Sequence, residues 1–269
     1  MSRATELPLR RDARGLSATP APGAARLFTA LYRLEVDGTL EVTTGDEETC
    51  AILLGGTFDL VGGTTAWPSR GARTAPLGGR PVAVFLPPRT PFAARNGRGQ
   101  ILLIAARQPL TAKATGRAAL QQSPLLPLAG SGKAFDPGTG EWRPAETFPS
   151  APESLPPRRI ERVTLGAVTV ERVFAADYKA ATLTVDEVAV AAGATFLARS
   201  VPLPAGACEC MVYLRSDAPI ALAGVELARL PAGEHALLLD GPATTLALTA
   251  GLAPVYAVLA HAGKIDRAI

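Results

Sequence analysis

At 269 residues, with 48% hydrophobic and 19% charged side chains, the chain can build one large or two medium globular cores and is too apolar to be disordered. Its formal net charge of +3 is spread thinly, with no basic stripe and interleaved aromatics, so nucleic acid is not an expected partner. No apolar run reaches the roughly 20 residues that span a bilayer, and the early charges are not followed by an apolar stretch, so no membrane partner and a cytoplasmic location are expected. Three cysteines, Cys50, Cys208 and Cys210, are too few and odd in number for a disulfide framework.

Residues 1–25 are rich in Pro, Arg and Ala, show little periodicity and read as an arm or leader. From there the hydrophobic period becomes two. In L-Y-R-L-E-V-D-G-T-L-E-V (31–42), Leu34, Val36, Leu40 and Val42 share a parity around Asp37–Gly38, which predicts a hairpin with a tight turn. T-C-A-I-L-L-G-G-T-F-D-L-V-G-G (49–63) reads as strand, Gly-Gly, strand, and V-A-V-F-L-P-P (82–88) and Q-I-L-L-I-A-A (100–106) add two more. Residues 26–107 are therefore expected to form one antiparallel barrel.

Between 108 and 158 Pro, Gly, Ser and Gln dominate, which predicts a connector packed through Phe135, Trp142 and Phe148. After 158 short apolar runs return at even spacing: 166–174, 181–190, 208–214, 219–227, 235–239, 245–249 and 255–260, with Gly, Pro or Asp in nearly every gap. Many short strands with almost no helical period predict an all-β fold, with a second barrel over 159–262. The halves also echo each other. E-T-C-A-I-L-L-G-G (48–56) is similar to E-C-M-V-Y-L-R-S (209–216), and F-L-P-P-R-T-P-F (85–92) to R-L-P-A-G-E-H-A (229–236), which sets Pro91 opposite His235.

These stretches carry a family resemblance. E-E-T-C-A-I-L-L-G-G-T-F-D-L (47–60), G-G-R-P-V-A-V-F-L-P-P-R-T-P-F (78–92), E-C-M-V-Y (209–213) and L-P-A-G-E-H (230–235) resemble the 5-deoxy-glucuronate isomerases of inositol catabolism. The resemblance implies a bicupin, two cupin-type jelly-roll barrels in one chain, with a divalent metal in the second barrel. It implies isomerisation of a deoxy-uronic acid between aldose and ketose forms. It also implies a metal site built from a His-x-His pair, a Glu and a later His. Carried over residue by residue, the Glu falls on Glu209 and the last His on His235. The His-x-His pair should follow 191–204, where the chain offers Arg199, Ser200, Val201 and Leu203 instead. Val and Leu have no donor atom and Arg is a permanent cation, so the metal ligand set is incomplete and no metal or other cofactor is expected.

Glu209 and His235 are then the family-matched candidates for catalysis, and Arg199, Arg215 and Tyr213 the candidates for binding a small carbohydrate acid. The alternative class is a non-enzymatic sugar-acid-binding, structural or regulatory bicupin, with pairing of barrels as a homodimer a further option. Plainer readings stand beside these. His235 is a turn histidine bonded to a neighbouring loop. Cys208 and Cys210 are small buried hydrophobes. Glu209 pairs with Arg199 or Arg215, and His261 lies at the surface or an edge. Because Cys208 and Cys210 share one strand face and Glu209 takes the other, a Cys208/Cys210/His235 set and a Glu209/His235 set exclude each other.

Overall fold

The computed structural model describes residues 3–20, 27–107, 119–122, 133–136, 141–144, 160–174, 182–199, 209–240 and 245–263, and every regular element among them is a β-strand. The first half contains β1 (Arg3–Leu7), β2 (Arg10–Asp12), β3 (Gly15–Ala18), β4 (Phe28–Thr43), β5 (Glu47–Gly62), β6 (Thr65–Arg70), β7 (Val82–Leu86) and β8 (Pro91–Arg107). Between the halves lie β9 (Ala119–Gln122), β10 (Lys133–Asp136) and β11 (Glu141–Pro144). The second half contains β12 (Glu161–Leu165), β13 (Val168–Phe174), β14 (Leu183–Val190), β15 (Thr195–Arg199), β16 (Glu209–Ser216), β17 (Ile220–Ala223), β18 (Arg229–Leu230), β19 (Gly233–Asp240), β20 (Thr245–Ala250) and β21 (Val255–Ala262). The side chains of Phe135 and Trp142, and residue Phe148, lie outside the described residues.

The two halves repeat one strand order. The first sheet runs β2-β3-β4-β8-β5-β7-β9 with β6 on β5, and the second runs β1-β19-β16-β21-β14-β13-β12. Thus β4, β8, β5 and β7 correspond to β14, β21, β16 and β19. A further sheet, β15-β20-β17-β18, faces the second and closes its barrel. The segment expected as an arm contributes to both halves: β2 and β3 extend the first sheet, while β1 crosses over to pair with β19, Leu7 opposite Ala236.

Register makes the repeat specific. Glu48 lies opposite Ala106 on β8, and Glu209 opposite Ala262 on β21, so these two glutamates are equivalent. Four residues on, Ile52 faces Ala83 and Tyr213 faces Ala236. The echo of 48–56 with 209–216 is therefore a structural repeat. The echo of 85–92 with 229–236 is not: Leu53 faces Val82 and Leu214 faces His235, so Val82 rather than Pro91 corresponds to His235. Sequence similarity there followed a shared proline turn between different strand pairs.

The predicted hairpin at Asp37–Gly38 is also corrected. Strand β4 passes straight through it, with an irregularity between Gly38 and Leu40 in its pairing to β8. Strand β5 passes through Gly55–Gly56 in the same way, with irregularities on both sides. Glycine at positive φ serves a bulge as readily as a turn. At Gly56 (φ 97°) a side chain would run into the Arg98 carbonyl, and at Gly99 into that of Gly55. The bulges line up in register, Gly38 opposite Gly97 and Gly56 opposite Gly99. They allow three strands to bend together, so that one continuous sheet curls into the first barrel.

Three apolar cores result. One fills the first barrel through Val36, Leu53, Phe58, Leu60, Trp67 and Ile101. Another fills the second through Val188, Val212, Leu214, Leu237, Leu246 and Leu248. A third lies between the large sheets and draws Leu31, Cys50, Ile52, Phe85 and Ile104 from the first half, and Phe174, Val185, Met211, Tyr213 and Tyr256 from the second. Phe85 and Phe174 meet there edge to face, with centroids 5.7 Å apart. The central strands of both large sheets are thus buried on both faces, which explains the unbroken apolar runs of β7 and β21. Each fully buried Leu, Val or Phe contributes about 1.5–3 kcal/mol relative to exposure.

Burial also perturbs Asp186 on β14. Desolvation pushes its carboxyl up to about 6, with Arg172 opposing and Glu161 reinforcing the shift. The folded protein holds this proton more tightly than the unfolded chain does. Its contribution to stability is therefore complete below about pH 4 and is lost as pH rises through about 6. Asp186→Asn is expected to stabilise the protein above that value by about 1–2 kcal/mol, allowing for partial solvent screening, with the gain fading towards pH 4. Urea melts of variant and wild type at several pH values measure the difference.

Candidate functional site

Strand alternation separates the candidate residues. On β16, Cys210, Val212 and Leu214 point into the second barrel, while Met211 and Tyr213 face the seam between the sheets. Glu209 falls on the seam side and is fully buried. Its Oε2 accepts hydrogen bonds from the backbone N–H groups of Leu27 (2.8 Å) and Phe28 (3.2 Å). The equivalent Glu48 does the reciprocal: its Oε2 accepts from the N–H of Thr182 at 2.9 Å. Each half thus extends a buried carboxylate to the chain entering the first long strand of the other. Arg215 lies six residues beyond Glu209 on the same strand, about 20 Å away, out of reach for an ion pair.

His235 opens β19 on the barrel side, with 7% of its surface exposed. Its Nδ1 lies 2.9 Å from Glu6 Oε1 on β1, and its Nε2 lies 3.0 Å from the Pro231 carbonyl. Both partners are acceptors, so the imidazolium satisfies both and a neutral ring only one. This is the turn histidine of the plainer reading, and it also latches β1. His235 lies opposite Leu214, five residues from Glu209, or about 17 Å along the strand. The structure does not bring these two together. His261 lies on central strand β21 opposite Cys210, half-buried rather than at the edge expected for it. Cys210 is a buried hydrophobe; Cys208, the Arg199 side chain and residues 200–204 lie outside the described residues.

The donor set does not suit a divalent metal. The second barrel is lined by Val and Leu, the chain has two histidines, and among the described residues no three of His, Cys, Asp and Glu converge. A carboxylate–imidazole metal site needs about three such donors on one atom.

Polar chemistry gathers at the seam instead. Tyr213 donates its hydroxyl to Glu234 Oε2 at 2.7 Å. The Arg33 guanidinium, 2% exposed, meets the same carboxylate through two bonds, Nε to Oε2 at 2.9 Å and Nη2 to Oε1 at 3.0 Å. Arg33 also pairs with Glu35; Gln100 donates to Glu35 at 3.1 Å, and Arg215 donates to the Gln100 side-chain oxygen at 3.0 Å. One chain of contacts therefore runs Tyr213–Glu234–Arg33–Glu35–Gln100–Arg215, crossing the seam twice. Burial pushes the Tyr213 phenol far above its usual range, reinforced by the Glu234 carboxylate. Burial works to lower the Arg33 pKa, but Glu234 outweighs it and holds the guanidinium charged.

The outer end of this network opens on a cleft of about 800 Å³. Its walls are the bulged segments of β4 (Glu35, Val36, Asp37), β5 (Gly55, Gly56, Thr57) and β8 (Arg98, Gly99, Gln100), with the loop 72–76. Among the described residues, Arg215 is the one lining residue from the second half. Arg73 lines it too. This residue is 4% exposed, donates to the carbonyls of Leu53 (2.8 Å) and Pro76 (3.0 Å), and pairs with Glu187 across the seam. Sequence reading found Arg215 and Tyr213 but missed Arg33, Arg73, Gln100 and Glu234. Arg33 sits in an alternating run where parity reads as solvent-facing, and only the second sheet makes that face interior.

Comparison with known proteins agrees with this architecture. Residues 16–125 match the KduI/IolB family. The whole chain superposes on an IolB-like protein from Salmonella typhimurium LT2 at a TM-score of 0.65 and 13% identity, covering 99% of this chain and 95% of that one. A protein from Geobacillus kaustophilus gives 0.59 and 12%, over 99% and 97% of the two chains. Quercetin 2,3-dioxygenase from Acinetobacter baumannii gives 0.55 and 8%, over 96% and 78%. No curated protein matches the chain.

Two expectations follow from the geometry. Glu209→Ala, which leaves two backbone donors without their acceptor, should cost about 1–3 kcal/mol in urea denaturation, and Glu209→Gln, which keeps a carbonyl there, should cost less. Removing Glu234 strands a buried guanidinium, so Glu234→Ala should cost about 3 kcal/mol. The double variant with Arg33→Met should recover part of that loss. The chain is an all-β bicupin that matches the KduI/IolB family, that of the 5-deoxy-glucuronate isomerases, over residues 16–125.

Proposed function

We propose that this is a 5-deoxy-glucuronate isomerase-like bicupin whose metal site has eroded, and that it binds a small carbohydrate acid without isomerising it. The separation of Glu209 from His235 is the observation that carries this reading. Aldose–ketose isomerisation moves a proton between adjacent carbons, so its acid and base must converge on neighbouring atoms of one substrate. Here the two family-matched groups stand about 17 Å apart along paired strands, one held by backbone amides and the other by Glu6 and Pro231. The described core side chains of the second barrel are aliphatic, and Glu209 faces away from them.

Arg215 is the residue proposed to meet the carboxylate of such an acid. Tyr213 is proposed to act at one remove, by fixing Glu234 and so Arg33. Arginine suits the task because its planar fork matches a carboxylate with two parallel hydrogen bonds.

Purified full-length protein should contain no stoichiometric transition metal by elemental analysis and should not turn over 5-deoxy-glucuronate with or without added Mn²⁺ or Zn²⁺. Uronic acids should raise its melting temperature. About one metal per chain, or metal-stimulated turnover, would overturn the eroded-site reading. Turnover abolished by Glu209→Gln would restore the isomerase reading in its place.

A further inference from the structure

We infer that the cleft between the halves, outside both barrels, is the ligand site, and that it takes a small polyhydroxylated anion, with Arg215 gripping the charged end. This deepens the binding reading above and rests on it.

The cleft combines two chemistries that such a ligand needs. Arg215 supplies a cationic donor whose side-chain partner is the neutral Gln100, whereas Arg98 is paired with Asp37 and Arg73 with Glu187; Glu35, Asp37 and the Gln100 side chain offer acceptors for hydroxyl protons. A purely anionic ligand would be repelled by the two carboxylates, and a neutral polyol would leave Arg215 without a counter-charge. A molecule with one oxyanion and several hydroxyls satisfies both. The 800 Å³ volume admits a ligand of this size.

The geometry is also held ready. Arg215 is anchored through Nη1 to Gln100, Gln100 to Glu35 and Glu35 to Arg33, whose guanidinium is buried against Glu234. Side chains locked in this way lose little rotamer freedom on binding, which favours affinity. Arg73 stiffens the wall, its guanidinium held by the Leu53 and Pro76 carbonyls and by Glu187. The glycines of the bend contribute by what they lack. Gly55, Gly56 and Gly99 line the cleft with bare backbone, and a Cβ at Gly55 would lie 3.0 Å from the Thr74 carbonyl in the facing loop.

Isothermal titration of the full chain with D-gluconate, glucose 6-phosphate, inorganic phosphate and the neutral polyol glucitol tests the proposal. Gluconate or glucose 6-phosphate should bind, and the tighter of the two identifies the oxyanion as carboxylate or phosphate ester. Glucitol and inorganic phosphate should bind weakly or not at all. Arg215→Gln should weaken the bound acid by about 10- to 100-fold, as expected for a charged hydrogen bond. Arg89→Gln, which removes the same charge from an exposed pair with Asp46 remote from the cleft, should leave it unchanged. Melting curves confirm that both variants fold. Binding that survives Arg215→Gln overturns the cleft as the site while leaving the sugar-acid reading intact. Absence of binding by any acid overturns both.

Discussion

The central strands of the two large sheets have little of either face left for water, and much of the molecule follows from that constraint. One face of each packs into its own barrel and the other against its counterpart across the seam. A polar group on either face must therefore find a partner inside the protein or lose several kcal/mol. The seam shows how this is met. Glu48 and Glu209 receive backbone donors from the opposite half, Arg33 receives Glu234, and Arg73 receives Glu187. Equivalent strand positions carry opposite charges, Arg33 on β4 and Glu187 on β14, and each is matched by a partner from the other half. The repeat is thus symmetric in backbone and complementary in charge. Pairing of this kind specifies how the halves dock more than it adds net stability, because desolvation offsets much of the attraction.

The same constraint bears on what the second barrel can hold. A cupin barrel can hold a metal only if its interior carries several convergent donors, and such donors are costly to bury without the ion. The second barrel here is filled with Val and Leu, which pack well and stabilise it directly. Of the polar residues that the family resemblance placed in the barrel, Glu209 faces the seam instead, and His235 is engaged by Glu6 and Pro231. Glu209 became a fastener between halves, and His235 a latch for the first strand of the chain. What remains open to solvent and chemically mixed is the cleft at the bend of the first barrel. It exists because glycine bulges in β4, β5 and β8 turn three strands at one level, and because the second half places Arg215 against that bend.

Much of the architecture was legible in the residues. Period-two alternation with Gly, Pro and Asp punctuation identified an all-β chain in two halves, and the likeness of E-T-C-A-I-L-L to E-C-M-V-Y-L was a true repeat. Local signals failed where one chemistry serves two structures. Asp37–Gly38 permits a turn or a bulge, and the choice depends on β8, which runs alongside β4 through both of its limbs. The first residues carried no period because β1 and β2 are short, and what makes β1 a strand is the edge of β19, more than 200 residues away.

The sequence by itself determined composition, strand content, the family likeness and the absence of a His-x-His pair, because each depends on residue identity and local spacing. Tertiary structure alone decided which face of each strand is interior. Alternation defines two faces, but not what covers them. Glu209 and Arg33 read as a metal ligand and a solvated charge until the opposite half supplied Leu27, Phe28 and Glu234 as their partners. The candidate site was illegible for the same reason. Among the described residues its walls come from five segments of one half and a single arginine of the other, brought together by a bend that no local pattern encodes.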